Sequence, residues 1–157
     1  MLSKPEEDTI TIISQELKPL TISIKAARGA KTIDSFINDF ATDKLNINII
    51  KYSILEKIKI YLEHYENEKP KEILYPLPNK DFSSCVDDWD YKFIDIDNTD
   101  TIFELMNAAN FLDINSLLNL TCAKIASLIK GKNPNQLKDL FNLKKSDNQD
   151  IIECNRI

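Results

Sequence analysis

His64 is the only histidine in this chain of 157 residues, and Cys85, Cys122 and Cys154 are its cysteines; these are the side chains best suited to nucleophilic or metal chemistry. A cysteine nucleophile needs a thiolate beside a base, so any Cys-His pair must use His64, which falls near the end of a polar-flanked helical stretch. The cysteines are odd in number, far apart and never spaced C-x-x-C, which indicates neither a disulfide framework nor a zinc site and fits a reducing compartment. With Gly29 and Gly131 as the only glycines, no phosphate-cradling loop of the Walker or dinucleotide kind can be written. Asp87-Asp88 reads as solvated loop charge. No catalytic residue, cofactor or metal is implied, and the residues point away from an enzyme.

The charge balance narrows the field further. A formal charge of -5 repels a phosphate backbone, and no Lys/Arg cluster is dense enough to make a local exception, so nucleic acid is not an expected partner. The acidic start has no apolar leader, and no stretch approaches the roughly 18 apolar residues of a membrane span, so no membrane partner is expected and the protein reads as soluble and intracellular. A hydrophobic fraction of 43% against 29% charge is that of a chain that folds, with room for one main core.

The elements that would position a functional surface follow from periodicity. Thr9-Ile10-Thr11-Ile12-Ile13 and Leu20-Thr21-Ile22-Ser23-Ile24 alternate apolar with hydroxyl residues and predict a strand pair joined by a short link containing Pro19. Ile33, Phe36, Ile37 and Phe40 recur at i, i+3, i+4, i+7, predicting a helix packed on that sheet. The β-branched run Ile47-Asn48-Ile49-Ile50 predicts a third strand. Ser53 and Glu56 have capping-box spacing ahead of an apolar stripe of Ile54, Leu55, Ile58, Tyr61, Leu62 and Tyr65. Residues 67–88 then lose periodicity and carry Pro70, Pro76 and Pro78, a variable linker whose apolar members Ile73, Leu74, Tyr75, Leu77 and Phe82 either lie back on the domain or meet a partner.

Beyond Trp89 the pattern is helical again. A turn at Asp90 to Phe93 precedes a second capping box, Thr101 with Glu104, followed by Ile102, Leu105, Met106, Ala109 and Leu112 on one face and an end near Asp113. A helix from about Asn115 closes at Lys130 and Gly131, with glycine as a left-handed cap. Asn133-Pro134 then restarts the chain as N-cap and first helical residue, leading to Leu137, Leu140 and Phe141, with residues 144–157 a frayed polar tail. The helix from Asn115 is apolar around more than the face a packed helix needs. Those side chains either close a single core or are completed by a partner, and periodicity does not choose between the two.

These residues resemble the Skp family, the adaptors that link F-box proteins to a cullin in SCF ubiquitin ligases. Trp89-Asp90-Tyr91-Lys92-Phe93-Ile94 is similar to that family's W-D-x-x-F-[LI]; Thr101-Ile102-Phe103-Glu104-Leu105 and Ala108-Ala109-Asn110-Phe111-Leu112-Asp113-Ile114 resemble T-L-F-E-L and A-A-N-Y-L-D-I. The likeness runs on through Leu117-Leu118, Leu120-Thr121-Cys122, Ile129-Lys130-Gly131-Lys132, Pro134 and Phe141-Asn142-Leu143. Residues 9–65 match by order of elements more than by identity. The resemblance implies an α/β (α+β) BTB/POZ-type domain, a small three-stranded sheet flanked by helices, with a C-terminal helical extension. Residues 1–66 and 89–130 would form the domain, 67–88 the linker, and 131–157 the F-box-binding extension. Elongin C, a BTB/POZ relative, ends before an equivalent of that extension, which favours the Skp branch.

By resemblance, Asn110 and Phe111 lie on the cullin-facing side, with Ile49, Ile50 and Leu55 near them. Leu118, Cys122, Ile125, Ile129, Pro134, Leu137, Leu140 and Phe141 belong to the helices that clasp the F-box. From the residues alone, Asn110 equally reads as a helix-terminal cap, Phe111 as a core aromatic and Cys122 as a small buried hydrophobe. The implied function is a non-catalytic adaptor, cytoplasmic and nuclear, with F-box proteins and a cullin as partners and a homodimer when no F-box protein is bound. A BTB-type homo-oligomerising module is the competing class. Three departures stand out: Ile49-Ile50-Lys51-Tyr52 replaces the family's P-L-P-N near the third strand; Glu153-Cys154-Asn155 replaces a terminal W-C-E; and a one-residue excess around Asp97 to Asp100 reads as a loop of no consequence. The first bears on cullin affinity, and the second implies a smaller F-box grip.

Overall fold

The computed structural model describes residues 8–40, 43–73 and 81–140. Strands β1 (Thr9–Ile13) and β2 (Pro19–Ser23) pair antiparallel, Thr9 opposite Ser23 and Ile13 opposite Pro19. A third strand, β3 (Lys44–Asn46), joins β1 in parallel, giving the order β2-β1-β3. The alternation seen in the sequence sends Ile10, Ile12, Leu20 and Ile22 inward, and all are buried. The helices are α1 (Ile24–Ala27), α2 (Lys31–Asp39), α3 (Tyr52–His64), α4 (Asp88–Phe93), α5 (Thr99–Phe111), α6 (Asn115–Ile129) and α7 (Pro134–Leu140), with a 3-10 turn at Phe82–Ser84. This is a small α+β domain ending in helices, as the pattern predicts.

Four local expectations are corrected. The third strand lies at Lys44–Asn46, and Ile47 to Ile50 form a turn instead; Ile47 and Ile50 are each 4% exposed, so a turn with inward side chains at i and i+3 buries them without a ladder. Ile24 leaves the second strand to open α1, because the Ser23 hydroxyl accepts from the Ala26 N–H at 3.2 Å and starts a helix there. The stripe of α2 keeps Ile33 buried but is shorter than expected, leaving Phe40 past the helix end and 58% exposed. Neither expected capping box forms. Lys51 is the N-cap of α3 without a side-chain bond, and the Tyr52 N–H donates to Glu16 Oε2 from the β1–β2 turn at 2.9 Å. Asn98, not Thr101, caps α5, its side chain accepting from the Asp100 N–H at 2.9 Å.

The predicted stripe of α3 packs as expected, with Ile54, Leu55, Ile58, Tyr61 and Leu62 buried. At its far end Trp89 stacks on His64 (ring centroids 3.6 Å apart) and on Phe93 (5.1 Å), while the Tyr65 hydroxyl donates to the buried Asp90 carboxylate at 2.6 Å. Burial raises the Asp90 pKa, with Asp87 adding to the shift, whereas the Tyr65 bond opposes it. Phe82 and Val86 enter the core beside α4, so this part of the 67–88 stretch lies back on the domain. Pro76 and its neighbours at 74–80 fall outside the described residues, as do Phe141 and the tail.

Candidate functional site

The helical hairpin of α5 and α6 organises the candidate surfaces. α5 ends in a Schellman arrangement: Asp113 takes a φ of 55°, its N–H donates to the Asn110 carbonyl, and the Ile114 N–H donates to that of Ala109. From α2, the Thr32 N–H and hydroxyl donate to the Leu112 and Phe111 carbonyls at 3.2 and 3.1 Å. The end of α5 is thus tied down from two sides, and Phe111 is presented at 47% exposure with Asn110 exposed beside it. Of the two readings open for each, the geometry gives an outward aromatic rather than a core one.

Phe111 walls two grooves. One, of about 230 Å³, runs from Gln15, Ile49 and Ile50 past Ile54 to Glu104, Asn107 and Ala108. The other lies on the far side of Phe111, between Phe36 and Phe40 of the α2 region and Leu45 and Ile47 at β3. Ile49 stands out at 66% exposure. Ile50 at 4% and Leu55 at 1% are core residues, so of the residues assigned to this face they support it from beneath and offer little to a partner. Lys51 Nζ donates to Glu104 Oε1 at 2.8 Å across the groove rim, and Glu104 is the main reason the Lys51 pKa is raised. Both side chains are well exposed, 52% and 40%, so the pair orients more than it stabilises.

A second surface comes from α6. Leu117, Leu120, Thr121 and Ala123 are buried against the domain, and the Thr121 hydroxyl is satisfied by the Leu118 and Leu117 carbonyls. Leu118, Cys122, Ile125 and Ile129 follow i, i+4, i+7, i+11, which lines them along one other face. The first three are half-buried and Ile129 is 39% exposed. Cys122 Sγ lies 3.9 Å from Met106 Sδ, a soft contact and not a reactive setting. At the end of α6, Lys130 and Gly131 (φ 77°) make a turn closed by the Lys132 N–H on the Ile129 carbonyl, so the glycine takes the left-handed conformation expected of it.

Asn133 and Gln136 cap α7 reciprocally, each side chain accepting from the other's N–H at 2.8 and 3.1 Å. Pro134 is exposed, Leu137 and Leu140 are half-buried, and Phe141 lies outside the described residues. The spacing of the α6 residues named from the resemblance places them on one helix face, whereas Phe40, Gln15 and the Lys51–Glu104 pair were missed. Phe40 had looked like the last member of a packed stripe, and nothing local marks the other three.

Among the described residues the remaining chemistry-bearing groups are otherwise engaged: His64 in the Trp89 stack, and the buried Cys85 with its Sγ 3.6 Å from the Asp81 carbonyl oxygen; Cys154 lies outside the described residues. Among the described residues no cluster of three His, Cys, Asp or Glu side chains could hold a metal, and no helix is long and apolar enough to cross a membrane.

Comparison with known proteins agrees with the motifs. Residues 115–150 match the model described as Skp1 family, dimerisation domain, a span that takes in α6, α7 and ten residues of the tail region at 141–150. The chain is 41% identical over 135 residues to the "S-phase kinase-associated protein 1 homolog" of Tetrahymena thermophila, covering 85% of this chain and 81% of that one. It is 29% identical over 136 residues to the "E3 ubiquitin ligase complex SCF subunit sconC" of Arthroderma benhamiae (85% and 82% covered). With "SKP1-like protein 11" of Arabidopsis thaliana it shares 31% over 135 residues (85% and 83%). The α6 stripe, the presented end of α5 and likeness over most of both chains lead to one conclusion: this chain belongs to the Skp1 family.

Proposed function

We propose that the chain is the non-catalytic adaptor of an SCF-type ubiquitin ligase, joining F-box substrate receptors to a cullin and acting in the cytoplasm and nucleus. The observation that carries this reading is the two-sidedness of the α5–α6 hairpin. An outward apolar ridge at Phe111 and Ile49 is held on one side, and an unfilled apolar stripe from Leu118 to Ile129 runs on another. Large apolar side chains spaced along one helix face and only partly covered by the domain fit a helical partner laid against them. On this reading that stripe, with Leu137 and Leu140 of α7 and, outside the described residues, Phe141, is the F-box side; Asn110, Phe111 and Ile49 form the cullin side, supported by Ile50 and Leu55. The name of the Arthroderma relative, an SCF subunit, supports the same assignment.

Co-expression with an F-box peptide is expected to give a soluble 1:1 complex, and failure with every F-box of the source organism would sink the reading. N110K combined with F111E is expected to abolish capture of a cullin N-terminal fragment while sparing F-box binding. The description of the matched family model as a dimerisation domain favours one further state, a homodimer through the α6–α7 face when no F-box protein is bound. Light scattering tests it, and a strict monomer at high concentration removes it.

A further inference from the structure

Thr99 opens α5 and is 8% exposed, yet its hydroxyl is directed out of its own helix: Oγ1 donates to the Leu140 carbonyl at the C-terminal end of α7, at 3.2 Å. The two helix ends meet in a favourable sense, since the last carbonyls of α7 carry partial negative charge and the first turn of α5 partial positive charge. α7 needs such a tie. It spans Pro134–Leu140 and has no buried residue, and a helix that short is far below the length that holds itself together in water. Behind it, a side chain added at Gly131 would meet nothing within 4 Å, so the joint is held by the local turn from the Lys132 N–H to the Ile129 carbonyl rather than by packing at the glycine. Thr99 falls within the stretch 97–100 that carries the one-residue excess over the family pattern. The residue expected to sit in a loop of no consequence therefore makes a long-range contact.

We propose that Thr99 is a positioning residue for the F-box surface. By pinning the end of α7 to the first turn of α5, it keeps Leu137 and Leu140 on a preformed helix, so that a partner does not have to order this segment as it binds. The proposal rests on the adaptor reading for its partner, but the tie itself does not. T99V keeps the shape and removes the donor; T99S keeps the donor.

In the full chain, amide hydrogen exchange over 135–140 is expected to be about fivefold faster in T99V than in wild type, the worth of one ordinary hydrogen bond. Amides of α6 serve as an internal reference and should not change. Affinity for an F-box peptide is expected to fall by a similar factor in T99V, with T99S like wild type in both measurements. Should T99V unsettle the α6 amides, T99A compared with T99S makes the same test with smaller side chains. Unchanged exchange in α7 overturns the tie. Faster exchange with unchanged affinity overturns the positioning role. A wild-type chain that binds no F-box peptide refutes the adaptor reading instead, and the exchange comparison still decides whether Thr99 holds α7.

Discussion

Replacing Phe111 by alanine separates the two faces most directly. The residue is 47% exposed in the free chain. An aromatic side chain buries about 200 Å² when fully covered, so a partner seated over Phe111 removes about 95 Å² from water. At about 25 cal/mol per Å² that is worth about 2.4 kcal/mol, or about 50-fold in Kd, as an upper value. The rest of the ring already rests against the domain, so F111A also lowers the melting temperature by a few degrees. I49A supplies the control, because Ile49 is 66% exposed and lies in a turn, so its truncation touches the fold little. Titration of a cullin N-terminal fragment by calorimetry is expected to show weaker binding for both variants, the larger loss in F111A, with F-box peptide affinity unchanged in each. Equal loss of F-box binding in F111A, or no loss of cullin binding in either variant, refutes the assignment of this ridge.

Other outcomes follow from particular contacts. The folded-state pKa of Asp90 is raised, chiefly by burial, so the folded chain holds that proton to higher pH than the unfolded one. Stability from this group is therefore complete below the ordinary carboxylate value and is lost as pH rises through the raised one. D90N, whose amide oxygen still accepts from Tyr65, should match wild type at low pH and equal or exceed it at neutral pH in urea melts; a deficit that grows with pH refutes the argument. Glu16 behaves oppositely. Its pKa is lowered, first by the Tyr52 N–H, so the helix-end contact holds above the ordinary value and is lost as pH falls through the lowered one. E16Q should abolish that pH dependence, read as exchange at the Tyr52 amide. In G29A the new Cβ meets Leu62 Cδ2 at 2.9 Å and the Ala26 carbonyl at 3.2 Å, and Leu62 is itself buried. A loss of about 1–3 kcal/mol in denaturant unfolding is expected, and no loss would mean that Leu62 repacks freely.

Much of this molecule is determined by the order of its residues alone. Alternation set β1 against β2, the 3.6-residue stripe of α3 named the side chains it buries, and Gly131, Asn133 and Pro134 marked the joint before α7. For α6, spacing showed only that the helix is apolar around more than one face, and the stripe from Leu118 to Ile129 came from the family resemblance. Tertiary structure decided whatever depended on a distant partner. Both capping boxes lost to other groups: at α3 the Glu16 carboxylate reaches the Tyr52 N–H, and at α5 Asn98 caps one turn earlier. The third strand formed three residues early, because parallel pairing beside β1 is set by sheet geometry and leaves the isoleucines of the following turn free to fill the core. Whether an apolar residue faces a partner or the core was decided the same way. Phe111 points out because Thr32 and the turn at Asp113 hold the end of α5 against α2, while Ile50 and Leu55 are covered by elements far from them in the chain. A sequence carries its periodicities locally, but exposure is a property of what the rest of the fold brings to each side chain.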